Sequence, residues 1–506
     1  MALLPANLDY TDKDFTALRE RLINLIRTVF PDWTDVDVAN FGNVMLECFA
    51  FVGDVLTNYQ DNQSRESRLI EALIRRNVIA LAAHLGYTPR TAAPATADVL
   101  FALDSTPAND VTIPAGTVVR TRDVTGAIDF QLLLDLVIAA GSDPPQAFGT
   151  VENSTTILGE TFQSTGLANQ RVQLARTPYI DDTAVVSAAN GAFTQVSNFL
   201  SSTSADRHYV VTIDETDRAR LTFGNGVNGQ VPTGAISVAY KIGGGLAGNV
   251  EANNITTIVG QFTDALSNPV RVSVTNPGKA SGGANRETVA QIKQNAPASV
   301  RVSDRTVALE DYTIHAEELS SVARALMVTS DQLPGLPENR GRLYIVPVGG
   351  GLPSAALKAQ VLAAVTVDKP KTITFQVSVR DPQYLTVDIT CTVFFTTEAD
   401  PQNVANLIRT RLADFFRIQN TDGTKNTQIG FGLDYVTDTI TTTPPEIPLS
   451  DVQNVVRDTT GVRKLGDRAV DFTLNEVHAD LLIGAIEFPQ LGNVVIMNGA
   501  TGQLVT

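Results

Sequence analysis

The chain has 506 residues, 43% of them hydrophobic and 18% charged, a balance typical of a folded protein rather than a disordered one. Its formal net charge of −16 argues against a surface that binds nucleic acid or anionic membranes, because phosphate binding needs a basic footprint. At this length one hydrophobic core does not suffice, so about three domains are expected.

The sequence shows no export signal and only two cysteines, and we therefore expect the protein to be made in the cytoplasm and to stay there until it is released from the cell. The N-terminus lacks the basic and apolar regions of a signal peptide, and no apolar run approaches the roughly 18 residues that span a bilayer. Cys48 and Cys391 lie far apart in apolar surroundings, which favours two buried thiols over a disulfide.

Residues 11–86 carry the apolar periodicity of helices. Thr11 or Asp12 is expected to cap a first helix, whose apolar positions begin at Phe15 and which ends before Pro31. A second helical pattern has these apolar positions: Val44, Phe49, Val52, Val55, Leu56 and Tyr59. The sequence therefore predicts an N-terminal helical domain over residues 1–90.

A third helix is predicted from about Ser64 to Leu85, with Gly86 terminating it. Its apolar positions form one stripe: Leu69, Leu73, Ile74, Val78, Leu81, Ala82 and Leu85. Such a stripe is typical of a helix packed on its two neighbours, but it also suits a helix that joins a bundle with other subunits. Both interpretations can hold together.

From Pro89 to about Pro277 the chain turns to β structure, with short alternating runs between Gly, Pro and Asp clusters. We predict a β-rich core over residues 91–277. Residues 140–215 are rich in Ser, Thr, Asn and Ala and alternate weakly, so we interpret them as a variable, partly inserted β subdomain.

The most distinctive stretch runs from Arg218 to Arg305. It contains the G-x-G-x-x-G spacing of dinucleotide-binding folds, with Glu251 at about the required distance downstream. That mechanism needs a helix whose N-terminus faces the pyrophosphate. Pro232, Gly234 and a β pattern follow instead, so a hairpin turn is favoured over nucleotide binding. The glycines of the motif are Gly224, Gly226 and Gly229.

Residues 278–335 are predicted to form a helical connector. Charges alternate around the start of one of its helices: Arg301, Asp304, Arg305, Glu310 and Asp311. They can form ion pairs within the chain or with a neighbouring subunit, and exposed pairs contribute under about 1 kcal/mol each. We favour the internal role.

Residues 336–506 show a strand, helix and strand order twice. We predict helices from about Ser354 to Val367 and from Asn403 to Phe416, and the strand-like runs include Lys371 to Val379, Tyr384 to Phe395 and Asp451 to Val456. Two β-α-β units predict an α/β sandwich with helices on one face of a sheet. Its exposed edge strands make the domain a natural place for subunits to pair.

The residues predict no catalytic centre, metal site or cofactor site. There is no nucleophile elbow and no phosphate loop. The adjacent pairs Asp181-Asp182 and Glu317-Glu318 are interpreted as solvated charge, because neighbouring side chains do not face one another. The histidines are scattered, without a partner at a spacing typical of metal ligands: His84, His208, His315 and His478.

The motif R-x-x-F-G-N-G-x-x-G-x-x-P-x-G, followed by G-G-G, G-N-V and S-G-G-A-N-R-E-T, resembles the core of the baseplate J-like proteins. Those proteins are wedge subunits in the baseplates of contractile phage tails and related injection machines. The positions that carry the resemblance are Phe223, Gly224, Gly226, Gly229, Pro232, Gly234, Tyr240, Gly248, Asn249, Arg305, Asp311 and Tyr312.

The resemblance implies a multidomain α+β protein: an N-terminal helical hairpin or bundle, a central β-rich core and a C-terminal α/β sandwich. It implies a structural wedge protein rather than an enzyme, located in the virion tail and assembled in the host cytoplasm. The N-terminal helices would contact other wedge and hub proteins. The C-terminal domain would form a homodimer within a six-fold ring that transmits the trigger for sheath contraction.

Two other functions are considered. A tail adhesin or fibre that binds host glycan would need clustered exposed aromatics, and the chain has 6% aromatic residues and one tryptophan, Trp33. A nucleotide-dependent or hydrolytic enzyme is disfavoured because the glycine motif lacks its helix.

Overall fold

The computed structural model describes residues 13–34, 37, 40–122, 126–302, 305–435 and 445–505. The chain divides into two compact units, Met1–Pro89 with Ile292–Pro297, and Arg90–Gln291 with Ala298–Thr506. Helices followed by a β-rich body and further helices confirm the predicted multidomain α+β class. None of the helices in the described ranges is long and apolar enough to cross a bilayer.

The first unit contains α1 (Phe15–Val29), α2 (Phe41–Glu66) and α3 (Arg75–His84). The guanidinium of Arg19 on α1 lies 2.8 Å from the Glu47 carboxylate on α2, and the Phe15 N–H donates to Asp54 at 3.2 Å. The Asn40 side chain caps α2 by accepting from the Gly42 N–H. The expected caps of α1, Thr11 and Asp12, lie outside the described residues.

The continuous third helix predicted from Ser64 to Leu85 is wrong. Its first residues belong to α2, and the chain leaves the helix before α3 begins. The Glu66 carboxylate accepts the backbone N–H groups of Leu73 and Ile74 at 2.9 and 3.2 Å. It thereby holds the turn and the start of α3, where helix N–H groups lack partners within the helix.

The β-rich body contains these strands: β1 (Thr96–Leu103), β2 (Val111–Ile113), β3 (Val118–Thr121), β4 (Asp129–Leu132), β5 (Leu136–Ile138), β6 (Gln146–Glu152), β7 (Ser154–Gln163), β8 (Arg171–Gln173), β9 (Val185–Ala188), β10 (Gly191–Gln195), β11 (His208–Ile213), β12 (Ala219–Phe223), β13 (Ala235–Gly243), β14 (Ile255–Val259), β15 (Phe262–Thr263), β16 (Pro269–Val270) and β17 (Val272–Thr275). They form two main sheets, ordered β14-β3-β4-β6-β1-β17 and β7-β13-β9-β10-β11-β12-β8.

The end strands of the first sheet, β14 and β17, are linked by Asn276, which is buried. Its side chain accepts the Ile255 N–H at 2.8 Å and donates to the carbonyls of Glu251 and Gly278. The Asn253 N–H donates to the Asn276 carbonyl at 2.7 Å. The sheet thus closes around its own core, which contains Phe101, Ile113, Val119, Phe130 and Val151 among others.

The second sheet lies in sequence between β6 and β14 of the first sheet, over residues 154–243. The second sheet is thus an insertion into the sequence of the first. The predicted limits of 140–215 include β6 of the first sheet and omit β12 and β13 of the second. Alternation places Tyr209, Leu221 and Phe223 in its core, while their neighbours along the strands are more exposed.

The remaining elements are α4 (Val289–Val302), α5 (Leu309–Glu317), β18 (Val322–Val328), β19 (Arg340–Pro347), α6 (Ala355–Thr366), β20 (Gln376–Arg380), β21 (Gln383–Phe395), α7 (Pro401–Phe415), β22 (Glu446–Ile447), α8 (Leu449–Arg457), β23 (Val462–Leu465), β24 (Phe472–Leu474), β25 (Leu481–Leu482) and β26 (Glu487–Asn498). Short 3₁₀ turns lie at Leu246–Gly248, Gly432–Tyr435 and Ala469–Asp471.

The C-terminal part contains two main sheets rather than the one predicted. The first sheet has the order β18-β19-β20, and the second is built around β21, which pairs with β23, β24 and β26. One face of the first sheet packs against α5 and α6. Its other face, at β18 and β19, packs into the core of the β21 sheet. Every residue of β18 is buried as a result. Because β18 pairs with β19, a domain boundary at residue 335 passes between hydrogen-bonded strands.

The predicted strand from Asp451 to Val456 is wrong, because these residues lie in α8. Val452 and Val456 are buried at a spacing of four, which is helical. The valines favoured a strand in the sequence, and packing on the helix face outweighed that preference. The helices predicted from Ser354 and Asn403 are confirmed as α6 and α7.

Replacing Asn276 with alanine is expected to lower the free energy of unfolding by about 2–4 kcal/mol, because it leaves buried backbone groups without partners. Thermal and urea unfolding would measure the loss. Asn58→Ala, at an exposed position on α2, serves as the control and should change stability by under about 0.5 kcal/mol. Equal effects of the two substitutions would contradict the closure through Asn276.

Candidate functional site: a polar junction and an apolar helix face

The connection between β12 and β13 carries the glycine motif, and it is not the predicted hairpin turn. In the sheet, β9, β10 and β11 separate the two strands. Gly224 is required because a Cβ there would lie 2.2 Å from the Gly229 carbonyl oxygen. Pro232 and Gly234 end the loop and β13 follows directly, so no helix N-terminus is present to hold a phosphate.

The aromatic residues of the motif are core residues. Phe223 packs edge-on against Phe193, with ring centroids 5.4 Å apart. The buried Tyr240 donates from its hydroxyl to Glu160 at 2.7 Å and accepts from the Arg176 N–H at 3.1 Å. Burial and the Glu160 carboxylate raise the pKa of Tyr240 to about 12, so it acts as a neutral hydrogen-bonding group.

Asn249 joins the second sheet's exit to the segment 281–287, which we call the junction segment. Its side chain donates to the Gly283 carbonyl at 2.7 Å and accepts the Gly283 N–H at 2.8 Å. A Cβ on Gly283 would lie 2.5 Å from the Gly245 carbonyl oxygen, so only glycine fits there. Gly248, beside Asn249, is buried.

Backbone pairing ties the junction segment to the chain that enters the first sheet. The N–H of Ala93 donates to the Ala284 carbonyl and that of Thr96 to the Ser281 carbonyl, both at 2.9 Å. The Gly282 N–H donates to the Val348 carbonyl, just after β19. The junction segment therefore contacts both the β-rich body and the C-terminal sheets.

Three consecutive side chains of the junction segment reach three different parts of the chain. Asn285 accepts the N–H of Leu246 at 3.1 Å. Arg286 lies 3.3 Å from the Asp217 carboxylate, in the turn before β12. Glu287 pairs with Arg90 at 2.7 Å.

In the pair formed by Arg90 and Glu287, the carboxylate is buried and the Arg90 side chain is 17% exposed. Glu287 is 3% exposed, and both of its oxygens accept from Arg90, one from the backbone N–H and one from Nε, each at 2.9 Å. The guanidinium also donates to the carbonyl of Glu317 at the end of α5. A buried carboxylate in this geometry is stabilised by the positive charge of its partner.

Asp181 also belongs to this junction, so its interpretation as solvated charge is wrong. Its carboxylate accepts the Thr91 N–H at 2.9 Å, and its own N–H donates to the Thr91 hydroxyl at 3.1 Å. Burial, with added repulsion from Asp182 and Glu287, raises the pKa of Asp181 to about 6. Glu317 is likewise engaged: it accepts the Ala325 N–H and pairs with Lys425.

The last motif residues organise the start of α5. The Asp311 carboxylate accepts the N–H groups of Val307 and Ala308 at 2.9 and 2.8 Å. Tyr312 is buried and packs at 5.7 Å from the Phe375 ring. Arg305 is exposed.

Two of the charges near this helix, Arg301 and Glu310, pair within the chain. Arg301 pairs with Glu310 at 2.5 Å, and Asp304 lies outside the described residues. His315 has a carboxylate partner one helical turn away, Glu318 at 2.7 Å, which the sequence reading overlooked. Burial lowers the pKa of His315, but this partner outweighs it and the pKa rises. Within the described ranges, no group of three or more His, Cys, Asp or Glu residues could hold a metal ion.

The cysteines differ in their surroundings. Cys391 is buried in the β21 sheet as predicted, and burial raises the pKa of its thiol to about 12. The predicted burial of Cys48 is wrong, because it lies exposed on α2. Its apolar neighbours there are exposed too.

The exposed side of α2 is apolar along most of its length. We call this the α2 apolar face: Phe41, Val44, Met45, Cys48, Phe49, Phe51, Val52, Val55, Leu56 and Tyr59. Phe41 is 79% exposed, Phe49 64% and Tyr59 69%. The charged residues of this stretch, Glu47 and Asp54, bind α1 instead.

Comparison with known proteins gives a family match for the N-terminal helices. Residues 14–84, which span α1 to α3, match the family model described as the N-terminal domain of bacteriophage baseplate proteins. The match supports the coarser part of the sequence prediction, a baseplate protein of a phage-like tail. A search of the curated proteins found no match.

One solved structure is similar over most of the chain: a chain of the anti-feeding prophage baseplate, determined by cryo-EM and six-fold symmetrised. The identity is 14%, over 94% of this chain and 90% of that one, with a TM-score of 0.34. A score of this size does not establish a shared fold.

Removing the buried carboxylate of the junction, in Glu287→Ala, is expected to lower the free energy of unfolding by about 3–5 kcal/mol, because it breaks the ion pair with Arg90 and both hydrogen bonds that Arg90 donates to Glu287. Glu251→Ala is the matched control, since Glu251 is largely exposed and pairs with Lys279; it should cost under about 1 kcal/mol. Denaturant unfolding would measure the free energy of unfolding of both variants. A loss with Glu287→Ala no larger than that with Glu251→Ala would contradict the prediction.

Asp181→Asn is expected to stabilise the protein at pH 7.5 by about 1–2 kcal/mol. The folded-state pKa of Asp181 lies above its unfolded value, so its contribution to stability falls as pH rises through about 6. The advantage of the variant should therefore shrink between pH 7.5 and pH 5. A difference in melting temperature that stays constant over this range would contradict the assignment.

Proposed function

We propose that this chain is a structural subunit of the baseplate of a phage-like contractile tail and that it works by assembly rather than by catalysis. The observation that carries the proposal is the α2 apolar face. It lies within residues 14–84, the part that matches the baseplate family model.

The spacing of the α2 apolar face fits helix partners. Its central positions follow one another at intervals of four and three residues: Phe41, Met45, Cys48, Val52, Val55 and Tyr59. This is the 3.5-residue repeat of a helix that lies along another helix. The opposite side of α2 is already occupied by α1, through Leu46 and Ala50 among others.

The width of the face indicates more than one partner helix. At 100° per residue its positions cover about 160°, wider than the narrow seam of a two-stranded coil. Each large side chain left in water forgoes about 1.5–3 kcal/mol of burial, and monomers rarely expose such a patch. We therefore infer that α2 enters a helical bundle with other subunits.

The second unit would act as the spacer of the wedge. The junction segment joins its β-rich body to its C-terminal sheets through backbone pairing and a buried ion pair, which suits a part that transmits force without bending. A closed ring needs two different contacts on each copy. Following the baseplate J-like resemblance, these are the N-terminal helices and a C-terminal homodimer contact in a six-fold ring around the hub.

The alternative of a glycan-binding adhesin gains no support from the surface of the β-rich body. Among the described residues there, the exposed large apolar side chains are mainly aliphatic, such as Leu158, Leu167, Leu200 and Val227. Phe148 is the exposed aromatic among them. Sugar-binding surfaces need clustered aromatic rings.

The test is the substitution Val52→Glu, at the centre of the α2 apolar face. We expect it to leave the melting temperature of the isolated chain within a degree or two, since the side chain is exposed, and to reduce particle assembly at least tenfold. Negative-stain microscopy of the producing strain, with its own copy replaced, would count assembled tails.

Leu158→Glu is the control, because Leu158 is 84% exposed, more than Val52 at 54%, but lies on β7. It should assemble normally. Normal assembly with Val52→Glu would refute the proposed role of the face, and equal loss with both variants would show that added surface charge alone is responsible.

A further inference from the structure

We propose that the open edge of β20 pairs with β20 of a second copy of this chain, antiparallel across a two-fold axis at Ser378. The inference rests on the proposed assembly function. It names the surface through which the C-terminal part would self-associate.

Within the described residues, β20 pairs with β19 on one side only, and its other side is the open edge of the sheet. The two strands are parallel, and their register runs without a shift from Arg340↔Gln376 to Tyr344↔Arg380. The Gln376 N–H donates to the Asn339 carbonyl. Because alternate residues of a strand use opposite edges, Val377 and Val379 direct their backbone N–H and C=O groups away from β19.

Two other sheet edges in the described part of the chain, those of β7 and β23, carry features that discourage pairing. The register of β7 shifts opposite Val238 and Tyr240, with Gly159 at φ +76°. Strand β23 carries Arg463 and Lys464 and also shifts in register. Bulges and charges of this kind are common protections of strand edges.

The centre of β20 has no such protection. Val377, Ser378 and Val379 include no charge, proline or glycine, and the pairing with β19 is regular. The two valines pack with Phe375 against the core shared with α5 and α6. Ile373, three residues before β20, is 96% exposed, so an exposed apolar side chain lies close to the open strand in sequence.

The edge is also complementary to itself. With the axis at Ser378, Val377 lies opposite Val379 of the second copy, and the outward groups of both valines form four backbone hydrogen bonds across the interface. Gln376 then lies opposite Arg380 of the second copy, so no like charges face each other. Continuing the valine pairs across the axis would extend the apolar face of the sheet.

The register makes a specific cross-linking prediction. Ser378 and its symmetry mate would be a non-hydrogen-bonded pair with Cα atoms about 4.5 Å apart, within disulfide range. Full-length Ser378→Cys, in a chain where exposed Cys48 is replaced by serine, should form a covalent dimer on mild oxidation. Gln376→Cys is the control, because its symmetry mate would be about 13 Å away and should not cross-link.

A proline tests the backbone pairing itself. Val377→Pro removes only an outward N–H, which an edge strand tolerates, and should weaken dimerisation at least tenfold in sedimentation velocity. Val377→Thr keeps the N–H and should dimerise as the original chain does. Circular dichroism and the melting temperature would show that both variants fold.

Three outcomes would overturn the inference: no dimer in the original chain at high concentration, equal cross-linking at positions 376 and 378, or an unchanged dimer with Val377→Pro. None of them bears on the α2 apolar face, whose test is particle assembly. Failure of this interface and failure of the baseplate function are therefore distinguishable.

Discussion

The buried ion pair between Arg90 and Glu287 is the contact on which the arrangement of the second unit depends. The two residues are separated by 197 positions in sequence, yet Glu287 accepts from both the backbone and the guanidinium of Arg90. Neighbouring residues use the same segment to reach Asp217 and Leu246. A buried pair of this kind adds little to stability compared with an apolar pair, but it penalises any arrangement in which the partners separate.

The junction explains why glycine and asparagine stand at several positions that carry the baseplate J-like resemblance. Gly283 allows two backbones to approach, and Asn249 satisfies both backbone groups of Gly283. Asp311 likewise accepts two backbone N–H groups, at the start of α5. These residues contact one another or the backbone, and they fix how the segments of the second unit meet.

The sequence predicted those elements whose signal is local. The amphipathic helix α7 and the long strand β21 were found because their own periodicity specifies them. The break between α2 and α3 was missed, since it depends on a carboxylate, Glu66, that reaches across the turn. For α8, the valines suggested a strand, and only packing showed the helical spacing.

The candidate site was harder to predict than the fold. No local sequence pattern shows that Arg90 meets Glu287 or that Asp181 meets Thr91. The α2 apolar face has a visible signal, the four-and-three spacing from Phe41 to Tyr59, which predicts a helix but not what covers its apolar side. Periodicity shows that one side of a helix is apolar and does not show whether this chain or another one covers it.

The most direct test of the central claim is the reactivity of Cys48 towards a maleimide, in the free chain and in assembled tails. Cys48 lies on the α2 apolar face and is exposed in the chain, whereas Cys391 is buried and serves as an internal control. We predict rapid labelling of Cys48 in the free chain and strong protection after assembly, with Cys391 unreactive in both. Equal labelling of Cys48 before and after assembly would contradict a helical bundle formed on this face.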